Sequence, residues 1–191
     1  MSHEWVLWIL ATASAMHVVE ERGLGWQGWA ARTLGPRLGL APSWEDFWAT
    51  NGLLIVFAIS AAAVGWQAPA FALAFPALCL INAVFFHVLP SIQARRPNPG
   101  VFTAVVLYLP LATWAYLAAG SDGALGFPTV LLSVLIGACA MASARRVACR
   151  WSFRCIPSRR PASARPRRWT ATWRISALSR CCMAIRSTAW C

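Results

Sequence analysis

The chain has 191 residues, of which 59% are hydrophobic and 12% charged, and its mean hydropathy is +0.55. A soluble globular domain carries about 25% charged residues, so this composition excludes an ordinary soluble protein and indicates an integral membrane protein. The net charge of +11 is confined to the end of the chain, because residues 1–144 contain five Arg and six acidic residues while residues 145–191 contain twelve Arg and no acidic residue.

The first apolar stretch, residues 4–21, ends in the cluster His17-Val18-Val19-Glu20-Glu21. Ionisable side chains in the hydrocarbon cost roughly 2.5 kcal/mol or more apiece, so they usually serve a purpose. Residues three and four apart share a helix face, which puts His17 beside both Glu20 and Glu21. An imidazole and one carboxylate can hold a metal ion while the second carboxylate acts as a general base on water.

Local signals around residues 22–46 predict how the first two helices are joined. The start of the chain lacks a positively charged region, so we predict a retained first helix rather than a cleaved signal peptide. The Gly- and Trp-rich segment 24–40 predicts an interfacial loop or short helix. Ser43-Trp44-Glu45-Asp46 has the form of a capping box, which predicts that the second helix opens just before Phe47.

Four more apolar stretches follow, and each is long enough to cross a bilayer, which takes about 20 helical residues. They are residues 47–66, 69–91, 100–119 and 126–144. Pro76 and Pro110 fall inside the third and fourth helices, and we expect each to kink its helix. We therefore predict an all-α polytopic membrane bundle of about five transmembrane helices, with residues 1–144 as one membrane domain.

The distribution of arginine predicts the orientation of this bundle. Five crossings place the 22–46 loop, the 92–99 loop and the C-terminus on one side, and all five Arg of residues 1–144 lie there. The opposite side has neither Arg nor Lys in its turns. The positive-inside rule then predicts an external N-terminus and a cytoplasmic C-terminus.

The same topology gathers polar residues into one layer of the bundle. Helix ends on the predicted cytoplasmic side carry Asn51, Asn82, His87, Asn98 and Thr103. Together with His17, Glu20 and Glu21 they predict one shared polar pocket. Simpler interpretations exist: the two Glu could pair with Arg22 or Arg95 among the headgroups, the histidines could be ordinary hydrogen-bonded groups, and asparagines often join helices at about 0.6 kcal/mol each.

The tail, residues 145–191, differs in composition from everything before it. It has no Gly, Lys, Asp, Glu, Asn, Gln or His and no apolar periodicity. We interpret it as disordered or as out-of-frame sequence, since a GC-rich gene yields such a composition when read in the wrong frame. The alternative is a basic cytoplasmic arm that binds anionic lipid, worth about 1 kcal/mol per charge near the surface.

Three runs of the sequence resemble the HXXEE-motif family of bacterial membrane proteins. They are the cluster at residues 17–21, the run Asn-Ala-Val-Phe-Phe-His at 82–87 and the run Asn-Pro-Gly-Val-Phe-Thr at 98–103. The resemblance covers about residues 5–144 and implies that these polar positions form one site, but it supplies no settled activity. The tail departs from the family pattern, which supports the out-of-frame interpretation.

We therefore expect a multi-pass protein of the bacterial inner membrane, with the bilayer and a lipid or amphipathic substrate as partners and no nucleic acid. The first hypothesis is a metal-dependent hydrolase in which one divalent ion, zinc foremost, is held by His17, Glu20 and His87, with Glu21 as the base; the sequence leaves open which of the two Glu is the ligand and which is the base. The supporting polar residues are Asn51, Asn82, Asn98 and Thr103. The alternatives are a metal-free acid–base enzyme such as an isomerase, and a non-enzymatic proton or cation relay or carrier.

Overall fold

The computed structural model describes residues 2–33, 35 and 43–152, which form helices joined by short turns. In chain order the helical elements of these ranges are α1 (Trp5–Gly23), α2 (Trp26–Thr33), α3 (Trp44–Gln67), α4 (Pro69–Ala94), α5 (Val101–Ser121) and α6 (Phe127–Ser152). No residue within the described ranges is in a β-strand. The predicted all-α fold class is confirmed.

Three helices, α3, α4 and α5, are long and apolar enough to cross a membrane. α1 has 19 residues, but every 18-residue stretch of it includes Glu20, Glu21 and Arg22. The apolar part of α6, Phe127–Ser143, is shorter than 18 residues. Each of the five predicted stretches therefore coincides with a helix, and three of these helices satisfy the length and composition expected of a membrane span.

Successive long helices run in opposite directions, so their ends form two polar layers. We call the layer formed by the end of α1, the start of α3, the end of α4 and the start of α5 the site end. The layer formed by the start of α1, the end of α3, the start of α4 and the end of α5 is the clasp end. At the site end, the Arg22 guanidinium lies 4.1 Å from the ring centroid of Trp44 and joins α1 to α3.

The predicted start of the second helix is confirmed. The Ser43 hydroxyl accepts a hydrogen bond from the Asp46 N–H at 3.1 Å, and the Asp46 carboxylate accepts from the Ser43 N–H at 3.1 Å. These reciprocal bonds satisfy amide groups that a helix N-terminus leaves without partners. The segment before it contains the short helix α2, one of the two predicted possibilities for residues 24–40.

Small residues allow the helices to pack closely. α1 packs against α3 and α5, and α6 packs along α4. Gly137 of α6 lies against the backbone of α4, where an added Cβ would lie 2.7 Å from the carbonyl oxygen of Ala74. In membranes, where apolar surface gives no net drive between helices, such close approach is a main source of packing energy. The buried core is accordingly rich in alanine, including Ala58, Ala61, Ala104, Ala112 and Ala115.

The outer surface is covered by large apolar side chains. Those that are at least 61% exposed include five residues from three helices: Leu53, Val56, Phe102, Leu117 and Phe127. A soluble monomer rarely exposes apolar residues on this scale, so the surface is suited to lipid. The Arg-rich tail was predicted for residues 145–191. Its first residues are part of α6, which ends at Ser152, and residues from 153 onward lie outside the described part of the chain.

Candidate metal centre

Three buried side chains meet at the site end: His17 and Glu21 from α1, and His87 from α4. His17 and Glu21 are one helical turn apart and so share a face of α1. The Oε1 atom of Glu21 lies 3.6 Å from Nε2 of His17 and 3.5 Å from Nε2 of His87. One ligand atom from each of the three residues can be chosen so that all lie within 4.8 Å of one another.

The other ring nitrogen of His17 is held by α5. Its Nδ1 atom lies 2.7 Å from Oγ1 of Thr103, and the same hydroxyl lies 2.5 Å from Oε2 of Glu20. A threonine hydroxyl has one hydrogen, and a carboxylate that also accepts the Thr103 N–H at 2.8 Å is an acceptor. The hydroxyl therefore donates to Glu20 and accepts from His17, which places the hydrogen of His17 on Nδ1.

His87 is held in the same way by the loop between α4 and α5. Its Nδ1 atom lies 3.2 Å from Oδ1 of Asn98, and Nδ2 of Asn98 donates to the carbonyl of Phe86 at 2.8 Å. The second bond fixes the orientation of the Asn98 amide, so its oxygen faces the imidazole and accepts from it. The hydrogen of His87 therefore also lies on Nδ1.

The helix is irregular around the Phe86 carbonyl. His87 lies in a π-helical segment, Ala83–Val88, and Pro90 follows it. In a regular α-helix residue 90 would donate its N–H to the carbonyl of residue 86, but proline has no N–H. π-helical turns of this kind often occur at functional sites.

The arrangement directs lone pairs from three residues into one space. With hydrogen on Nδ1 of both imidazoles, each Nε2 presents a lone pair toward Oε1 of Glu21. Asn82 borders the same space, since its Nδ2 lies 3.4 Å from Nε2 of both His17 and His87. Two imidazole nitrogens and a carboxylate oxygen form a donor set suited to zinc and other divalent transition metals.

Two of the three separations between ligand atoms can be compared directly with those around a shared ion. Zinc lies about 2.0–2.1 Å from nitrogen and oxygen ligands, and tetrahedral angles then separate two ligand atoms by about 3.4 Å. The two separations between imidazole nitrogen and carboxylate oxygen, 3.5 and 3.6 Å, are close to this value. They are longer than good hydrogen bonds, which fall at about 2.7–3.2 Å.

Gly100 forms one wall of the same space. Its φ angle is +90°, and an added Cβ would lie 2.6 Å from Cε1 of His87 and 2.9 Å from both Cγ of Glu21 and Cε1 of His17. Real Cβ atoms essentially never come so close to other heavy atoms. Glycine is therefore required at this position both by the backbone conformation and by the three side chains against it.

The structure joins most of the sequence-predicted residues in one connected group, which contains His17, Glu20, Glu21, Asn82, His87, Asn98 and Thr103. The hydrogen bond of the Asn51 side chain stays within its own helix, where Nδ2 donates to the carbonyl of Phe47 at 3.0 Å. Glu20 was predicted as a ligand and Glu21 as the base, with the opposite assignment left open. The structure places Glu21 between the imidazoles and Glu20 at the start of α5.

The sequence-based prediction of the site does not include two of its residues. It treats Gly100 only as part of a turn, and it does not consider Tyr108, which is buried with its ring centroid 4.5 Å from that of His17. A sequence signal exists for Gly100, because Asn-Pro-Gly directly before a helix often marks a residue with positive φ. Tyr108 gives no such signal, since one aromatic residue in an apolar helix is usually ordinary core.

A second polar cluster lies at the clasp end. The Asp122 carboxylate accepts from the His3 N–H at 2.6 Å and from the Trp66 indole N–H at 2.9 Å, and its Oδ1 lies 2.6 Å from Nδ1 of His3. Glu4 accepts from the Trp66 N–H at 2.9 Å. The hydrogen bond from the His3 N–H, followed by those from the His3 ring and Trp66, lowers the pKa of Asp122 to about 2.

Comparison with known proteins gives one match. No curated protein and no solved structure matches the chain. The family described as proteins of unknown function with an HXXEE motif matches residues 8–115, which is more than half of the chain and includes every residue of the candidate metal centre. This chain is a member of the HXXEE-motif family.

Proposed function

We propose that this protein is a metal-dependent hydrolase of the bacterial inner membrane that binds one divalent ion, zinc foremost, on His17, Glu21 and His87. The observation that carries the proposal is the convergence of two imidazole lone pairs and a carboxylate oxygen in a buried space. Lone pairs that face one another repel, and a cation among them removes that repulsion. Three protein ligands with a fourth position left open are typical of catalytic zinc.

The chain's own residues have separate tasks at such a centre. Thr103 and Asn98 orient the two imidazoles, and outer partners of this kind fix the tautomer of a metal-binding histidine. Asn82 borders the open position, so its N–H can donate to a substrate oxygen that is becoming negative. Glu21 has two oxygens, so one can bind the ion while the other accepts a proton. A divalent ion would supply Lewis-acid activation of water.

The substrate class follows from the surroundings of the centre. Val19 of α1 and Phe102 of α5 flank it and are 71% and 68% exposed. Such a surface contacts acyl chains, while the polar layer lies at a helix end, where headgroups are found. A lipid or another amphipathic molecule can therefore present a polar bond to the centre while its apolar part stays in the bilayer.

The proposed orientation has the site end in the cytoplasm. Arg22 and Arg32 lie in the last turns of α1 and α2, and Arg95 and Arg96 follow α4, so four arginines lie beside the site end. The positive-inside rule favours this side as cytoplasmic. α1 and α6 pack along the three apolar spans, which supports five crossings in the proposed topology.

Metal analysis of the purified full chain tests the metal centre. We expect about one zinc per chain, and we expect His17→Ala, His87→Ala and Glu21→Gln each to remove it. Asn51→Ala is the matched control, because Asn51 is a polar residue at the same helix layer that bonds only within α3 among described residues. Substoichiometric metal that is insensitive to all three site variants would refute the proposal.

A second measurement tests the reaction. The zinc-loaded protein, reconstituted in phospholipid vesicles, should release fatty acid or headgroup from an ester-bonded lipid, and chelation or His87→Ala should stop the release. Metal binding without turnover of ester- or amide-bonded lipids would overturn the hydrolase and leave the metal centre.

A metal-free acid–base enzyme is the second candidate. It is favoured by the same 3.5 and 3.6 Å separations, because a carboxyl group between two imidazoles can exchange a proton with either. Full retention of activity after exhaustive chelation, with loss of activity in Glu21→Gln, would favour this candidate over the hydrolase.

A further inference from the structure

We infer that Glu20 is a positioning residue that acts through Thr103 to keep the hydrogen of His17 on Nδ1, and that the two glutamates of the motif therefore have different roles. This inference deepens the proposed function and rests on it for the metal-binding consequence. The arrangement that carries it is a chain of contacts: Glu20 carboxylate, Thr103 hydroxyl, His17 Nδ1.

Glu20 is fixed by the start of α5 and faces away from the centre. Its Oε2 accepts from the Thr103 N–H at 2.8 Å and from the Thr103 hydroxyl at 2.5 Å, and its Oε1 accepts from the Phe102 N–H at 3.2 Å. The first N–H groups of a helix have no partner within it, and a carboxylate there is also favoured by the helix dipole. Glu20 thus joins the end of α1 to the start of α5.

The contacts of Glu20 determine the direction of the hydrogen bond between Thr103 and His17. Both oxygens of Glu20 accept, so the single hydrogen of the Thr103 hydroxyl points to Glu20. The hydroxyl oxygen is then left as an acceptor for His17, whose hydrogen must be on Nδ1. Nε2 consequently keeps a lone pair toward Glu21 and His87, which is the form that can bind a metal ion.

The other glutamate shares none of these contacts. Oε1 of Glu21 lies 3.6 and 3.5 Å from the Nε2 atoms of His17 and His87, whereas Thr103 contacts the Nδ1 atom of His17. Glu21 therefore faces the imidazole lone pairs. Glu20, acting through Thr103, keeps the lone pair of His17 on Nε2.

Replacement of Glu20 by Gln makes a specific prediction. The amide group has one oxygen for the three donors that face Glu20, which are the two N–H groups and the Thr103 hydroxyl. When its oxygen faces Thr103, the hydroxyl still donates to it; when its nitrogen faces Thr103, the hydroxyl turns its hydrogen toward His17, Nδ1 becomes an acceptor and the hydrogen moves to Nε2, where it blocks the centre. Thr103→Val removes the hydroxyl and should leave His17 without a preferred tautomer, whereas Thr103→Ser keeps the hydroxyl and should behave as the wild type.

The tautomer can be read directly by nitrogen NMR of full-length protein labelled with ¹⁵N-histidine, treated with chelator and held at pH about 8.5, where histidine is ordinarily neutral. The chain has only three histidines, so His3→Gln and His17→Ala assign the signals. We expect hydrogen on Nδ1 of His17 in the wild type and in Thr103→Ser, and a mixture of the two tautomers in Glu20→Gln and Thr103→Val.

Glu4→Gln is the matched control. Glu4 is also a carboxylate that accepts a backbone N–H at a helix junction, from Trp66 at 2.9 Å, but it lies at the clasp end. Its replacement should leave the His17 signals unchanged. Hydrogen on Nε2 in the wild type, or wild-type signals in both Glu20→Gln and Thr103→Val, would overturn the inference; if Glu20→Gln does not fold, the Thr103→Val and Thr103→Ser pair decides.

Zinc affinity separates this inference from the proposed function. Loss of an outer partner of a metal ligand typically weakens binding by about 10- to 100-fold, so Glu20→Gln and Thr103→Val should weaken zinc binding by this factor while Glu4→Gln does not. If the metal-free protein has the expected tautomers but does not bind added zinc, the metal centre is refuted and the role of Glu20 is supported. Zinc bound with unchanged affinity in Glu20→Gln would refute the role of Glu20 and support the centre.

Discussion

The two ends of the bundle use the same residue types for opposite purposes. At the clasp end, the carboxylate of Asp122 is surrounded by donors: the His3 N–H, the His3 ring and the Trp66 indole. At the site end, the carboxylate of Glu21 faces two imidazole nitrogens that both present lone pairs. A carboxylate with donors on each oxygen has its hydrogen-bonding needs met, whereas a carboxyl group that faces other acceptors is stabilised by a bound cation or by a proton.

The difference shows how to recognise a candidate site by the direction of hydrogen bonds. Both clusters contain histidine and acidic residues, and both join three segments of the chain. In the clasp, the contacts fasten the start of α1 to the ends of α3 and α5. In the candidate centre, the contacts that join the helices are made by Glu20, Thr103 and Asn98. They do not involve the Nε2 atoms of the two imidazoles or Oε1 of Glu21, which converge on one space.

The largest effect is expected from Gly100→Ala. The new Cβ would meet all three members of the centre at 2.6–2.9 Å, and overpacking of a buried site costs about 1–3 kcal/mol. The imidazoles must move, so zinc binding should be lost and the melting temperature should fall. Zinc titration and thermal unfolding in detergent measure the two effects.

Gly123→Ala is the control for backbone strain. Gly123 at the clasp end also has a positive φ, +75°, but no atom of the described chain lies within 4 Å of an added Cβ. Both substitutions carry a similar conformational cost, about 1–2 kcal/mol, so the difference between them reports the contacts alone. Equal losses of stability, with zinc binding intact in both variants, would contradict the geometry of the centre.

The paired variants Glu21→Gln and Asp122→Asn come next, and their effects on stability should have opposite signs. In chelated protein, Glu21→Gln supplies an amide donor to the imidazole lone pairs, which should raise the free energy of unfolding by about 1–3 kcal/mol. Asp122→Asn removes acceptor capacity from among three donors and should lower the melting temperature. Only the substitution at Glu21 should abolish zinc binding.

Thermal unfolding with and without zinc measures this contrast. The wild type should gain stability on addition of zinc, since a ligand that binds only the folded state stabilises it, and the Glu21→Gln variant should gain none. Destabilisation of the chelated protein by Glu21→Gln would mean that Glu21 has a structural role like that of Asp122, and the comparison between the ends would fail.

Much of the fold could be predicted from the sequence, because the signals were local. Apolar length located the helices, and the side-chain chemistry of Ser43 and Asp46 determined where α3 begins. Opposite directions of successive helices then placed His17, His87 and Thr103 in one layer, as predicted. Five spans were predicted, and three helices satisfy the length and composition of a span, because α1 ends in charged residues and α6 has a short apolar part.

The roles of the two glutamates could not be predicted, because they depend on the rotation of α1 against α5. Glu20 and Glu21 are neighbours, about 100° apart around the helix, and either could face His87 in a sequence-based argument. The prediction for Asn51 had the same weakness: it shares the depth of the centre, but its side chain turns back to Phe47. The depth of a side chain in the bundle follows from the topology, whereas the direction in which it points around its helix follows from helix packing.

The smallest expected effect is a pH dependence that arises at the clasp end. The pKa of Asp122 is lowered from its ordinary 3.8 to about 2 by the donors that face it. A carboxyl group whose pKa is lower in the folded state binds protons more tightly when unfolded, so its contribution to stability is present above about pH 4 and is lost as the pH falls toward 2.

The melting temperature of the wild type should therefore exceed that of Asp122→Asn at pH 5, and the difference should shrink as the pH falls toward 2. His3 and Glu4 are the titratable groups beside Asp122, so His3→Gln should reduce the same difference by removing a donor. Because the His3 side chain is 45% exposed, water and salt screen its contact with Asp122, and the effect should be modest. A wild-type advantage that stays constant from pH 5 to pH 2 would show that the Asp122 carboxylate is not held by these donors, and the clasp would then be no more complete than the centre opposite.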